Sequence, residues 1–195
     1  MNQLRPTVNQ LQFLFEVPFE LDWQSLSNAM TLKKVPRNRP IRLGPKQGAI
    51  VYHGAFKTIF QGNVYDFTGT KGILLSVDEA FLHTESREEF ITLEDSILFV
   101  FDFPELERTI YNLSNGALFM SLLFKKYFIR KYYKERFYFM TPQERFLNFQ
   151  NFIEVPMHLI SQKDIAEYIG ISPQSLSRLK RKMNDSNEAT DILAI

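Results

Sequence analysis

The chain has 195 residues, of which 45% are hydrophobic and 23% charged, the composition of a soluble globular protein with one domain or two small ones. It contains no cysteine, which excludes disulfides, thiolate metal sites, cysteine-ligated iron–sulfur clusters and cysteine nucleophiles. The net charge of +1 hides a division: residues 1–120 carry 11 Lys and Arg against 14 Asp and Glu, and residues 121–183 carry 12 against 5. The residues after 183 are acidic again through Asp185, Glu188 and Asp191. An acidic front and a basic rear suggest two jobs, the rear facing a polyanion. Residues 1–8 lack a signal-peptide apolar stretch, and the longest near-apolar run, 117–124, is far short of the roughly 18 residues of a spanning helix. A cytoplasmic location and no membrane partner are expected.

In chain order, Leu11, Phe13, Phe15, Val17 and Phe19 alternate with mostly polar neighbours, which predicts a half-buried strand. Residues 22–30 read as a short helix. Strand candidates follow at 31–35, 41–43, 49–53, 58–61, 64–67, 72–76, 89–93 and 97–101. Turn signals separate them: Pro36 to Pro40, Gly44-Pro45, Gln61-Gly62-Asn63, Gly69 and Glu94-Asp95. Many short strands with Gly and Pro turns predict an all-β first half, a sandwich or barrel.

After Phe101 the pattern changes. Asp102-Phe103-Pro104-Glu105 opens a helix, with Asp102 or Phe103 as N-cap and Pro near N1, and Asn115-Gly116 interrupts it. Residues 117–140 hold no Gly or Pro and predict one long helix. Its first half is apolar nearly all round, and its second interleaves Lys125, Lys126, Arg130, Lys131, Lys134 and Arg136 with Tyr127, Phe128, Tyr132, Tyr133 and Phe137. Three readings stay open for this second half: a dimer helix leading to a DNA-binding domain, an interfacial membrane helix, or a solvated helix capping the β-core. Of the 28 aromatic residues, twelve lie within 119–152. A further helix begins at the capping box Thr141-Pro142-Gln143-Glu144 and stops before Val155-Pro156.

Residues 161–183 carry the strongest functional signal. Ser161 caps a short helix whose buried stripe is Ile165 and Ile169, with small Ala166 where a second helix must cross closely. Gly170 supplies a left-handed turn and Ile171 plugs the corner. Ser172 caps and Pro173 starts a second helix that buries Leu176, Leu179 and Met183. This is a helix-turn-helix layout. The outward face shows Gln174, Ser175, Ser177, Arg178, Arg181 and Lys182, the residue types that bond base edges and phosphates. An interaction or scaffold protein that docks a partner protein through the same hairpin is the alternative, and a peripheral membrane-associated sensor is another.

Thr141-Pro142-x-Glu144-Arg145-Phe146, followed by Ile165-Ala166-x-x-Ile169-Gly170-Ile171-Ser172-Pro173-x-Ser175-Leu176-Ser177-Arg178, resembles the C-terminal domain of the Crp/Fnr family of bacterial transcription regulators. Leu93-Glu94-Asp95-Ser96 is the best local piece in the first half. The resemblance implies an α+β chain in three parts. Residues 1–112 would form an effector-sensing β jelly roll of the cupin-like or cyclic-nucleotide-binding-like kind, 113–140 a long dimerisation helix, and 141–195 a winged helix-turn-helix. It implies a homodimer on double-stranded DNA, with RNA polymerase as a further partner. Carried over, the DNA-contacting set is Ser161, Ser172, Gln174, Ser175, Ser177, Arg178, Arg181 and Lys182. Ser172 would hold a phosphate, Arg178 would read guanine O6/N7, and Gln174 falls where the family often has Glu. After Met183 the chain is polar and acidic rather than a clear hairpin, which puts the second pair of wing strands in doubt.

The resemblance also implies a small-molecule effector, yet Gly72 is followed by Ile73 where the family's cyclic-nucleotide binders have Glu. Arg87, near the phosphate-binding position, is followed by Glu88 and Glu89, which would repel a phosphate. A cyclic nucleotide is therefore not the expected effector. Candidate effector-pocket residues are Leu74, Arg87, Phe124 and Phe128. His53, His83 and His158 are scattered without metal spacing, and no nucleophile–base pattern or phosphate-cradling glycine loop occurs, so neither a cofactor, a metal nor an enzymatic activity is expected.

Overall fold

The computed structural model describes residues 4–80, 82 and 84–192. His83 lies outside the described residues. Eight strands fold into two antiparallel sheets: β1 (Met30–Val35), β2 (Pro40–Ile41), β3 (Gln47–His53), β4 (Phe56–Phe60), β5 (Asn63–Thr68), β6 (Ile73–Leu75), β7 (Glu88–Thr92) and β8 (Ser96–Asp102). One sheet runs β1-β8-β3-β6 and the other β2-β7-β4-β5. Each strand of the first half thus pairs with its counterpart counted back from the end, β1 with β8, β2 with β7, β3 with β6 and β4 with β5. That is the winding of a double-sheet jelly roll. The wind begins at the β4–β5 hairpin, where Phe60 pairs Asn63 across Gln61-Gly62. Both loop residues have positive φ, 50° and 82°, as a type I′ turn needs.

Ala49, Val51, Leu74 and Leu98 of the first sheet meet Ile41, Phe56 and Phe90 of the second to form the core between the sheets. The opposite face of the first sheet is covered too. Ile50, Phe99 and Phe101 pack there beneath α1 (Val8–Phe15), α2 (Trp23–Asn28), α4 (Phe103–Tyr111) and the first turns of α5 (Gly116–Arg136), through Leu11, Leu14, Leu26, Leu106, Ile110 and Phe119. Burial on both faces explains why β8 reads Ile-Leu-Phe-Val-Phe instead of alternating with polar residues.

Two expectations are corrected here. Residues 11–15 are helical, not extended: Thr7 and Gln10 close a capping box that starts α1, and Leu11 and Leu14, three apart, are the buried pair a helix presents. The period-2 apolar pattern through Phe19 is shared between this helix and the chain after it. The second correction concerns the wing. Residues after Met183 continue the last helix, α8 (Pro173–Ile192), and no strand follows it among the described residues. Residues 184–191 have neither β-branched alternation nor a Gly or Pro to turn a hairpin. The short helix α3 (Val77–Ala80) lies in the connection between β6 and β7.

A third core joins the two halves of the chain. Ala55, Val64, Phe67 and Leu93 from the jelly roll pack with Phe146 and Phe149 of α6 (Pro142–Phe152), with Ile165, Ala166 and Ile169 of α7 (Gln162–Ile169), and with Leu176 of α8. Gly69 permits this close approach, since a Cβ there would lie 2.6 Å from the carbonyl oxygen of Glu154.

Candidate nucleic-acid interface

The candidate interface is built from α7, a tight turn and α8. Ser161 Oγ accepts the Asp164 N–H at 3.0 Å and starts α7, which buries Ile165, Ala166 and Ile169 completely. Gly170 adopts the left-handed conformation (φ 75°, ψ 37°). Its N–H bonds the Glu167 carbonyl and the Ile171 N–H bonds that of Ala166, a Schellman ending that only glycine makes without strain. Ser172 Oγ accepts the Ser175 N–H at 3.1 Å, and its hydroxyl donates to Ser175 Oγ at 2.9 Å, so Ser172 caps α8.

Along α8, Leu176 is buried and Leu179 and Met183 pack against the shared core. Gln174, Arg178 and Arg181 fall at i, i+4 and i+7, stacked on the opposite face, and are exposed with Ser175, Ser177 and Lys182. Seven of the eight DNA-contacting candidates therefore share the first three turns of one helix or its cap. Ser161 stands apart, exposed at the start of α7 with its oxygen used as a cap. Lys180 belongs to the packing instead: its ammonium donates to Gln162 Oε1 at 2.6 Å and lies over the Phe146 ring, and burial lowers its pKa.

Three features escaped the sequence reading. Arg145 ties the joint between α5, α6 and α7: its Nε donates to the Phe137 and Met140 carbonyls at 3.0 and 3.1 Å, and a terminal nitrogen donates to the Ile169 carbonyl at 3.0 Å. Asp164 is buried and accepts from Lys57 Nζ on β4 at 2.8 Å. Glu167 accepts the Val64 N–H of β5 at 3.3 Å. The charge pattern of α7 marks both acids, but no local signal names partners over a hundred residues away.

The four effector-pocket candidates are not brought together. Leu74 is buried between the sheets, Arg87 is exposed, and Phe124 and Phe128 are exposed on α5. A cavity of about 440 Å³ lies instead between the β4–β7 sheet, α3 and α5, and Asp66, Asp78, Glu88, Tyr127 and Lys134 are among its walls. Burial, then the Asp78 carboxylate, hold Glu88 above its ordinary pKa, while Lys134 opposes them and Asp66 and Glu79 add to them. A carboxylate whose folded pKa is raised stabilises the fold fully below its unfolded pKa, and that contribution is lost as pH rises through the folded value. Glu88→Gln is thus expected to raise the melting temperature at pH 7.5 and leave it unchanged at pH 4. An equal shift at both pH values would contradict this. His53 and His158 are exposed, and among the described residues no three His, Asp or Glu are grouped to hold a metal ion. No described helix is long and apolar enough to cross a membrane.

No protein-family sequence model matches the chain, and no curated protein sequence matches it. Solved structures do. A cyclic nucleotide-binding domain containing protein from Listeria monocytogenes is similar with a TM-score of 0.68 and 16% identity, over 91% of this chain and 90% of that one. FixK2 from Bradyrhizobium japonicum gives 0.62 and 13%, over 81% and 86%. The c-di-GMP responsive global regulator CLP of Xanthomonas campestris gives 0.61 and 13%, over 84% and 91%. The chain therefore has the Crp/Fnr-type, cyclic-nucleotide-binding-like fold.

Proposed function

We propose that the protein is a sequence-specific transcription regulator of Crp/Fnr type that binds a pseudo-palindromic operator as a homodimer. Residues 1–112 are the sensing unit, 113–140 the dimer helix and 141–195 the DNA-binding unit. The observation that carries this reading is the exposed face of α8, where Gln174, Arg178 and Arg181 align beyond a capped N-terminus while the opposite face is locked into the shared core. The capped start of α8 and its dipole suit a phosphate, and the following turns suit base edges in a major groove. Dimerisation is supported by α5, on which Leu118, Leu122, Phe128, Ile129 and Tyr132 are exposed, an apolar surface suited to a second copy of the same helix.

The effector is unidentified and is not a cyclic nucleotide. Supporting this, Gly72 is followed by Ile73, and the cavity beside α3 presents Asp78 and Glu88, where a phosphate would meet like charge.

Operator binding is expected to weaken steeply with salt, roughly one counterion per phosphate contacted. Arg178→Ala should cost about 1–3 kcal/mol and relax preference at one base position, whereas Lys182→Ala should weaken binding to all sequences alike. Gln174→Glu should move preference at one base from adenine toward cytosine. An unchanged base preference in both Arg178→Ala and Gln174→Glu, compared by gel shift on single-base operator variants, would refute this use of α8.

A further inference from the structure

A second cavity, of about 300 Å³, opens where α5, the β5–β6 turn, α6 and α7 meet. Seven of its sixteen wall residues are aromatic, Phe67, Tyr133, Phe149, Phe152 and Tyr168 among them, and three more are isoleucines. Phe67 meets Phe149 and Tyr168 with centroids 5.8 and 5.4 Å apart, and Tyr133 stacks on Phe152 at 4.9 Å. This size is at the lower end for small-molecule sites, roughly 300–1,000 Å³. The charged groups on its rim balance, Lys71 and Lys134 against Asp66 and Glu154. Lys71 pairs with Glu16, Lys134 donates to the Tyr65 carbonyl and lies over that ring, and Asp66 accepts the Phe67 N–H at 2.9 Å. The wall charges sum to zero, and Lys71 is paired with Glu16 outside the cavity, so the walls favour neither sign of guest over a neutral one. Rings set edge-on and face-on, with three tyrosines and Asn148 among the wall residues, suit a planar guest.

We infer that this cavity binds an uncharged, flat aromatic molecule of two or three rings, and that its occupancy sets the angle between α5 and the DNA-binding unit. The cavity has walls on both sides of the joint at Met140-Thr141, so a guest touches the sensor, the long helix and the helix-turn-helix at once. The coupling half of this inference rests on the DNA-binding reading above, and the binding half does not.

The test titrates the full chain with N-phenyl-1-naphthylamine, an uncharged aromatic dye that brightens in apolar surroundings. 1-Anilinonaphthalene-8-sulfonate, the same ring system bearing a sulfonate, is the charged comparison. The expected result is saturable uptake of one uncharged dye per chain, at least tenfold tighter than the sulfonate. Asn148→Trp, which fills the cavity from α6, should bind at least tenfold more weakly at an unchanged melting temperature. Ile153→Trp, from the wall after α6 and away from the α5 seam, serves if the first variant does not fold. Absence of saturable uptake, equal or tighter sulfonate binding, or wild-type affinity in a folded tryptophan variant would overturn the binding site. A gel shift with and without saturating dye reads the coupling: changed DNA affinity supports it, and unchanged affinity with dye bound overturns it. A chain that takes up the dye but binds no DNA would refute the regulator reading and leave the site standing.

Discussion

Replacing both Leu122 and Ile129 by Glu is expected to leave the protein folded but monomeric, and to lower its affinity for a two-half-site operator by more than about a hundredfold. Both side chains are exposed on α5, 40% and 47%, so neither belongs to the core that Phe119 makes with α1 and α2. Across a twofold axis each new carboxylate would meet its own copy, and like charges in an apolar seam cost more than the lost contacts. Each half-site bound alone forgoes the local concentration that a joined second half supplies, which is why the loss exceeds that of a single base contact. Light scattering reads the mass and a gel shift the affinity. A dimer that survives both charges would place the interface elsewhere.

Asp164→Ala should destabilise the chain by about 3 kcal/mol, near the lower end for breaking a buried ion pair, because Lys57 and Asp164 keep some solvent contact at 21% and 12% side-chain exposure. The loss comes mainly from stranding the Lys57 ammonium against the shared core. Lys57→Met combined with Asp164→Leu should therefore recover most of it, since neither member is then left unpaired. Urea unfolding of Lys57→Met, Asp164→Leu and their combination measures the coupling. A double variant as unstable as the sum of the singles would show that the pair is not coupled. The same ion pair, with the Glu167 bond to Val64, fastens α7 to the β4–β5 hairpin, so its rupture is also expected to loosen α7 and α8 from the jelly roll.

What could be read from the chain in advance followed how local the responsible physics is. The strands from β1 to β8 were legible because Pro36 to Pro40, Gln61-Gly62 and Glu94-Asp95 punctuate them with turn chemistry that acts over a few residues. The helix-turn-helix was legible for the same reason, since Ser161, Gly170 and Ser172 each act within one turn. Residues 11–15 were misread because the apolar positions that fit a strand also include the i, i+3 pair of a helix. The capping box of Thr7 and Gln10 was the signal that separated the two. Leu74 was misplaced in a pocket because its facing is set by the pairing of β6 with β3, which puts it between the sheets. The Lys57–Asp164 contact and the aromatic cavity depend on how α6 and α7 settle on β5, a long-range event that no short window of sequence encodes.

The central claim is that α8 reads a base sequence as one half of a dimer. Selection of bound sites by the full chain from a random double-stranded DNA pool at moderate salt tests it most directly. The expected result is an enriched pseudo-palindrome whose half-sites are centred about one helical turn apart, roughly 10–10.5 base pairs. A pool that stays random, with salt-sensitive but sequence-blind binding, would contradict it.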